Sequence, residues 1–403
     1  MSTPRRVGLW LIGALGGVGS TVALGLAALR RGLTSEIGLV TELPIFTSLP
    51  LDGLDTFVVG GHDIRQGDYK TTLCALRERA GIFTGGLIRE CEESLAEWSN
   101  NIRPGTLHRC GPTIHQLANR PDLMAGATPA VTIERIKADL TAFQKNAKLD
   151  QVVVINVSST EPPTELVDTH QSLSALRKAL NDPATKVPAS SLYALATLEL
   201  GWPYVNFTPS LGASFPAALE LANQTGAPVA GQDGKTGETL LKTVLAPMFA
   251  ARNLRVLSWV GHNIFGNRDG LVLNDPENKA AKIKSKDQVL GQILGYKPQS
   301  HVSIEYIESL DDWKTAWDHI HFEGFLGVKM MLQFTWQGCD SILAAPLVID
   351  LARLALLAQR RGERGVLRHL AAFFKSPMEE TEMDFAKQHA RLLDYVQGVG
   401  QGR

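Results

Sequence analysis

The chain has 403 residues, enough for a large core and for two or three domains. Its 40 basic side chains face 41 acidic ones, a net charge of -1, which excludes the broad basic field of a nucleic-acid binder. The four cysteines, Cys74, Cys91, Cys110 and Cys339, have no CxxC spacing and read as reduced thiols of a cytoplasmic protein, with no zinc site and no disulfide framework.

The N-terminal run RRVGLWLIGALGGVGSTVALGLAALRRG starts basic and turns apolar, as a signal peptide or a membrane anchor does. Seven glycines interrupt it, and Ser20 and Thr21 stand inside it, so a strand, a glycine turn and a helix are expected, with no membrane role. Val7 to Ile12 reads as a buried parallel strand. GALGGVGST, residues 13 to 21, then supplies glycines that let backbone approach a pyrophosphate and a helix N-terminus that favours its charge. The spacing Gly13-x-x-Gly16-Gly17-x-Gly19 departs from GxGxxG and matches it only in part.

Asp55 to Ile64 predicts a second strand running into a glycine turn, with Asp63 at its end. A helix is expected from Pro129 to Ala147, and Asp150 to Pro163 predicts a third strand ending in small polar residues. Strands alternating with helices predict a doubly wound α/β sheet whose ligands sit at the carboxyl ends of the strands, where Gly13 to Thr21, Asp63 and Ser158 to Thr160 fall.

Beyond about Asn206 the texture changes. Leu254 to Gly270 predicts a strand followed by polar residues, and His301 to Leu310 alternates like a strand with one exposed face. Asp275, Pro276 and Glu277 start a predicted helix on which Lys279, Lys282 and Lys286 share one face. Cys339 to Gly362 predicts a long apolar helix returning to the first domain, FFKSP places Lys375 in an apolar helix, and GVGQGR is expected to fray. His262, His301, His319 and His321 give no metal-ligand pattern. The domains predicted are residues 1–206, 207–338 and 339–403.

Four long motifs resemble those of the myo-inositol-phosphate synthases, the NAD-dependent isomerases that cyclise glucose 6-phosphate, and the resemblance covers nearly the whole chain. GQDGKTGETLLKTVL (231–245) is similar to the family's G-D-D-x-K-[ST]-G-Q-T-x-x-K-[ST]-V-L, and HNIFGNRDGLVL (262–273) to its N-H-L-G-N-N-D-G-x-N-L. KIKSK (282–286) resembles S-K-E-I-S-K, and DSILAAPLVIDL (340–351) resembles the D-S-L-L-A-A-P block. The chain also departs from the family: its Gly16 to Ser20 turn is one residue shorter than G-G-N-N-G-S, Arg268 replaces an Asn, Glu238 replaces a Gln, and Glu305 and Glu308 stand where eukaryotic members have lysines.

The resemblance implies a Rossmann-like doubly wound NAD-binding domain (1–206), an α+β catalytic and oligomerisation domain (207–338) and C-terminal helices returning to the first (339–403). It implies oxidation at C5, enolisation at C6, intramolecular aldol closure onto C1 and re-reduction, giving 1D-myo-inositol 3-phosphate with no net redox change. Phosphate, enolate and alkoxide all need preplaced cations. By motif position Lys282 and Lys314 serve proton transfer and oxyanion stabilisation, and Lys286 and Lys375 hold substrate or phosphate. Asp233 and Asp340 position hydroxyls or lysines, Asp269 stands beside nicotinamide and substrate, and Asn263, Asn267 and Lys235 bind substrate. Gly16, Gly17, Val18, Gly19 and Ser20 hold the pyrophosphate, Asp63 takes the adenosine ribose and favours NAD, and Ser159 and Thr160 match the family's A-N-T-E strand end. Asp233 and Asp269 also reach the cofactor. Lys279 and Lys284 have no family counterpart and read as solvated. No metal is implied, the partner is a small sugar phosphate, and a cytoplasmic homotetramer is expected. Two rivals stand beside this reading: a sugar-phosphate dehydrogenase or related cyclitol-phosphate synthase, and a non-catalytic NAD sensor. Neither a plain dehydrogenase nor a sensor accounts for so many lysines in the second half.

Overall fold

Short runs of apolar residues between glycines and helices set the first layer. A computed structural model describes residues 5–123, 127–273 and 290–401. Seven strands form one wholly parallel sheet: β1 (Val7–Ile12), β2 (Phe57–Asp63), β3 (Ile102–Pro104), β4 (Gln151–Asn156), β5 (Tyr204–Asn206), β6 (Pro228–Gly231) and, in sequence well beyond them, β11 (Gly365–Val366). Their order is β11-β6-β5-β4-β1-β2-β3, so the direction of winding reverses between β1 and β4. A crevice opens at the carboxyl ends of strands at such a reversal. Every residue of β1 and β2 is buried, as a sheet covered on both faces requires.

Strands β7 (Arg255–Phe265), β8 (Gln299–Tyr306), β9 (Trp313–Glu323) and β10 (Lys329–Cys339) form a second sheet in the order β10-β9-β7-β8, antiparallel except for β7 with β8. The helices that matter here are α1 (Gly17–Arg30), α2 (Pro129–Asn146), α3 (Ala189–Glu199), α4 (Glu238–Ala251), α5 (Asp340–Arg360) and α6 (Phe385–Gly400). One face of the second sheet packs on α4 through Phe249, Trp259 and Ile320. The other face carries His262, Trp317 and His319, with His262 stacked on Trp317 at 5.7 Å and bonded to Ser303 at 2.6 Å. The alternation of polar and apolar residues seen in the sequence is therefore a two-faced sheet.

Helix α5 joins the two layers. It leaves β10 directly, and it packs beside α1 on β4, β5 and β6. It is long and apolar enough to cross a membrane, yet most of it is buried in the first core. Asp350 on its buried side accepts hydrogen bonds from Val40 N (2.8 Å), Thr41 N (3.0 Å) and Thr41 Oγ1 (2.6 Å), which ties down the segment after α1. Burial pushes this carboxyl up to about 6.

Four expectations change. The first sheet does not stop at residue 206: it takes β6 and β11 from later in the chain, because a buried parallel edge needs further partners. The strand expected over 150–163 ends at Asn156. Lys375 lies outside any helix, just after a 3-10 turn (Arg368–Phe373), where Phe374 bridges Gly234. Gly398 to Gly400 do not fray: α6 runs through Gly400, and Val399 is buried. The predicted lysine helix, with Lys279, Lys282, Lys284 and Lys286, lies outside the described residues.

Replacing Asp350 with Ala leaves three donors without their acceptor. We expect a loss of about 2–4 kcal/mol, read as a lower urea midpoint at unchanged slope.

Candidate active site

A cavity of about 880 Å³ opens at the point where the winding reverses, and both sheets contribute to its wall. The turn after β1 forms its floor. Gly13 has φ 86°, and a Cβ there would stand 2.8 Å from Ser158 Cα; a Cβ on Gly17 would stand 2.5 Å from Ser341 Oγ. The glycines are thus required by close approach on both sides. Gly16 precedes α1 in extended conformation with no side chain capping the helix, so the first amides of α1 are left for a ligand. Gly16, Gly17 and Val18 are on the wall. Gly19 and Ser20 are buried beneath it: a Cβ on Gly19 would meet Ala14 O at 2.6 Å, and Ser20 Oγ is buried without a hydrogen-bond partner. An uncapped helix start, a glycine floor and an orphan hydroxyl behind it fit a pyrophosphate, so the residues present suit a dinucleotide cofactor.

The strand ends supply the sides. Asp63 ends β2 on the wall, where its Oδ2 accepts from Leu15 N (2.7 Å) and its Oδ1 from Arg65 N (2.9 Å). Past β4, Ser158, Ser159 and Thr160 line the cavity, and Asn156 Oδ1 accepts from Ser158 Oγ at 2.7 Å.

The second half closes the other side. Asp233 is held in left-handed backbone (φ 64°), which an Asp tolerates, and its Oδ1 pairs with Lys375 Nζ at 2.9 Å. Asn267 Nδ2 donates to Asp340 Oδ2 at 3.2 Å, and Asn267 Oδ1 accepts from Gly270 N. Lys314, opposite Phe265 in the β7–β9 register, holds its ammonium 5.0 Å from that ring. Asp233, Asn267, Lys314, Asp340 and Lys375 all line the same cavity as the glycine turn. Asp269 follows in a short helix, Arg268–Leu273. Lys282 and Lys286 lie outside the described residues.

Two residues expected at the substrate lie off the wall. Asn263 faces inward from β7, 1 % exposed, with its Nδ2 donating to Glu238 Oε2 on α4, because the alternation of the strand turns it towards the helix. Lys235 is 3 % exposed and donates to Gln388 Oε1 on α6 at 2.6 Å. Burial, reinforced by Lys375, brings this ammonium down to about 7.

Asp312 was missed in the sequence, although it stands in DDWK two positions before Lys314. Its Oδ2 accepts from Ser341 N (2.9 Å) and from Cys339 Sγ (2.7 Å), its Oδ1 from Ser341 Oγ (3.0 Å), and its carbonyl from Asp340 N (3.0 Å). It caps α5 from the turn just before β9, a role Cys339 at the helix start cannot fill. Burial raises its carboxyl to about 6, against the pull of the bonds from Cys339 and Ser341. The only sequence signal was an Asp beside the lysine; the cap itself joins residues 29 apart.

The family model described as myo-inositol-1-phosphate synthase matches residues 7–397. An inositol-3-phosphate synthase of Bacteroides thetaiotaomicron is 34% identical over 402 residues, covering 94% of this chain and 90% of its own. Among solved structures, inositol-3-phosphate synthase from Caenorhabditis elegans superposes with TM-score 0.88 at 24% identity, covering 99% of this chain and 86% of its own, which speaks to the fold. A myo-inositol-1-phosphate synthase-related protein from Thermotoga maritima superposes at 0.78 with 26% identity, covering 98% and 99%.

Asp312 is ionised above about pH 6 and protonated below it. If only the ionised form sets α5 in place, turnover falls about twofold at pH 6 and about tenfold at pH 5. Asp312→Asn should lower the plateau and flatten that acid limb in a pH–rate profile.

Proposed function

The chain belongs to the myo-inositol-1-phosphate synthase family, and on that premise we propose how its own residues serve the family's reaction. The protein is an NAD-dependent isomerase that converts D-glucose 6-phosphate to inositol 3-phosphate. The observation that carries the reading of the site is one cavity with two chemistries on its wall. A glycine turn and helix start suited to a pyrophosphate face Lys314, Lys375, Asp233 and Asp340.

Bound NAD supplies a hydride acceptor at C5 and returns the hydride, so the cofactor is not consumed. The remaining work falls to side chains. Lys314 offers a cation to oxygens that gain charge when C5 and C1 react, its ammonium already placed over the Phe265 ring. Lys375, held by Asp233, presents a cation to phosphate or hydroxyl with its position set before substrate arrives. Asp340 holds Asn267 and aims it along the substrate. Lys282 shares proton transfer with Lys314, and Lys286 binds phosphate, by their place in the KIKSK motif. Lys235 supports the wall from behind: neutral or charged, it anchors Gln388 and sits beside Lys375.

The outer face of the second sheet, with exposed Trp317 and Met331, forms the contact between copies in a cytoplasmic homotetramer. Large apolar side chains grouped on one face favour an interface over solvent.

Purified protein with glucose 6-phosphate and NAD should give a new inositol phosphate resonance by phosphorus NMR without NADH building up at 340 nm. NADH rising with substrate would mean a dehydrogenase, and binding without turnover would mean a sensor. Lys314→Ala and Lys282→Ala should each cut kcat by about a thousandfold while NAD affinity stays nearly unchanged; equal loss in Lys279→Ala would overturn the assignment of Lys282.

A further inference from the structure

Asp63 stands where a dinucleotide fold reads the adenosine ribose, at the end of β2, and an acid there normally accepts the ribose hydroxyls and repels a 2′-phosphate. In this chain the carboxylate is already engaged. A carboxylate offers about four lone-pair sites. Leu15 N takes one at 2.7 Å, Arg65 N another at 2.9 Å, and Arg65 Nε stands 3.3 Å from Oδ1. The acid side chain is 3% exposed, so its charge is shielded from solvent and met by a guanidinium. Little acceptor capacity and little net negative charge remain to choose between a hydroxyl and a phosphate.

Arg65 itself is on the cavity wall. Its Nη2 donates to Leu15 O, which lays the guanidinium along the glycine loop, and Nη1 has no acceptor among the described residues. A planar, preplaced guanidinium with unused donors matches two phosphate oxygens. From His62 to Arg79, Asp63 is the only acid on that wall; Gln66 adds a neutral side-chain amide, while Thr71 and Thr72 give their hydroxyl protons to Asp68. Arg79 is paired with Asp311 at 3.2 Å much as Arg65 is with Asp63, but Arg65 stands two residues past the end of β2, directly beside that carboxylate.

We propose that Arg65 makes the adenosine end of the site permissive to a 2′-phosphate, so that the protein binds NADP as well as NAD. The inference rests on the dinucleotide reading of the cavity given above. Titration of the full chain with NAD and, separately, NADP, followed by tryptophan fluorescence or calorimetry, tests it. The expected result is an NADP dissociation constant within about tenfold of that for NAD. Arg65→Ser should shift the ratio of the two affinities by about tenfold or more towards NAD. Arg65→Gln, which keeps a donor and most of the side-chain length, should show the same shift where the serine variant is unstable. NADP binding more than about tenfold weaker than NAD in the unaltered protein, or an unchanged ratio in both variants, overturns the inference while leaving the NAD site standing. Failure of both nucleotides to bind overturns the dinucleotide reading itself.

Discussion

Everything in the site is arranged around the lack of a side chain at Gly13 and Gly17. The turn after β1 is gripped from one side by Ser158, just past β4, and from the other by the start of α5 at Ser341. A single methyl group at either position would overlap backbone or hydroxyl. Because the turn has no bulk, the end of the first sheet, the start of α1 and the N-terminus of α5 come within a few ångströms of one another. The cofactor cradle and the substrate wall are therefore one surface, and neither half can shift without the other.

The charges on that surface follow the same logic. Each cation on the described wall is given a fixed neighbour before any substrate enters. Lys375 has Asp233, Arg79 has Asp311, Arg65 has Asp63, and Lys314 lies over Phe265. Such pairing costs some attraction for an anionic ligand, but it removes the reorganisation that free lysines on a surface would need. Asp312 extends the pattern to the backbone: a buried carboxylate holds a helix start and a strand end together, so Asp340 and Lys314 keep their separation.

Much of this was legible in the sequence, for physical reasons. β1 came out at its true limits because an all-apolar run before a glycine turn has few other uses. The long helix over 340–360 was visible from composition and length, and three of the four motifs named the wall residues Asp233, Asn267 and Asp340, while Lys314 and Lys375 came from short stretches outside them. What stayed hidden was set by contacts between distant segments. Asn263 sits in a binding motif, yet strand alternation turns it to α4. Lys235 sits in another, yet α6, more than 150 residues later, supplies its partner Gln388. Asp312 and Arg65 look like ordinary surface charges until the turn they hold is seen in three dimensions. The extension of the first sheet past residue 206 was hidden for a related reason: its last strands, β6 and β11, are only four and two residues long.

That last feature has a bearing on how the protein is made. β11, only two residues long, is residues 365–366, and it covers the edge of β6, whose residues were translated well over a hundred positions earlier. While the second sheet is being synthesised, the first has an open edge and α5 has not yet emerged to cover β4 to β6. A nascent chain in that state displays both unpaired backbone and an uncovered apolar surface, the combination most prone to pair with its neighbours on a crowded polysome. Synthesis of residues 365–366, and not completion of the N-terminal half, is then the event that finishes the cofactor-binding sheet.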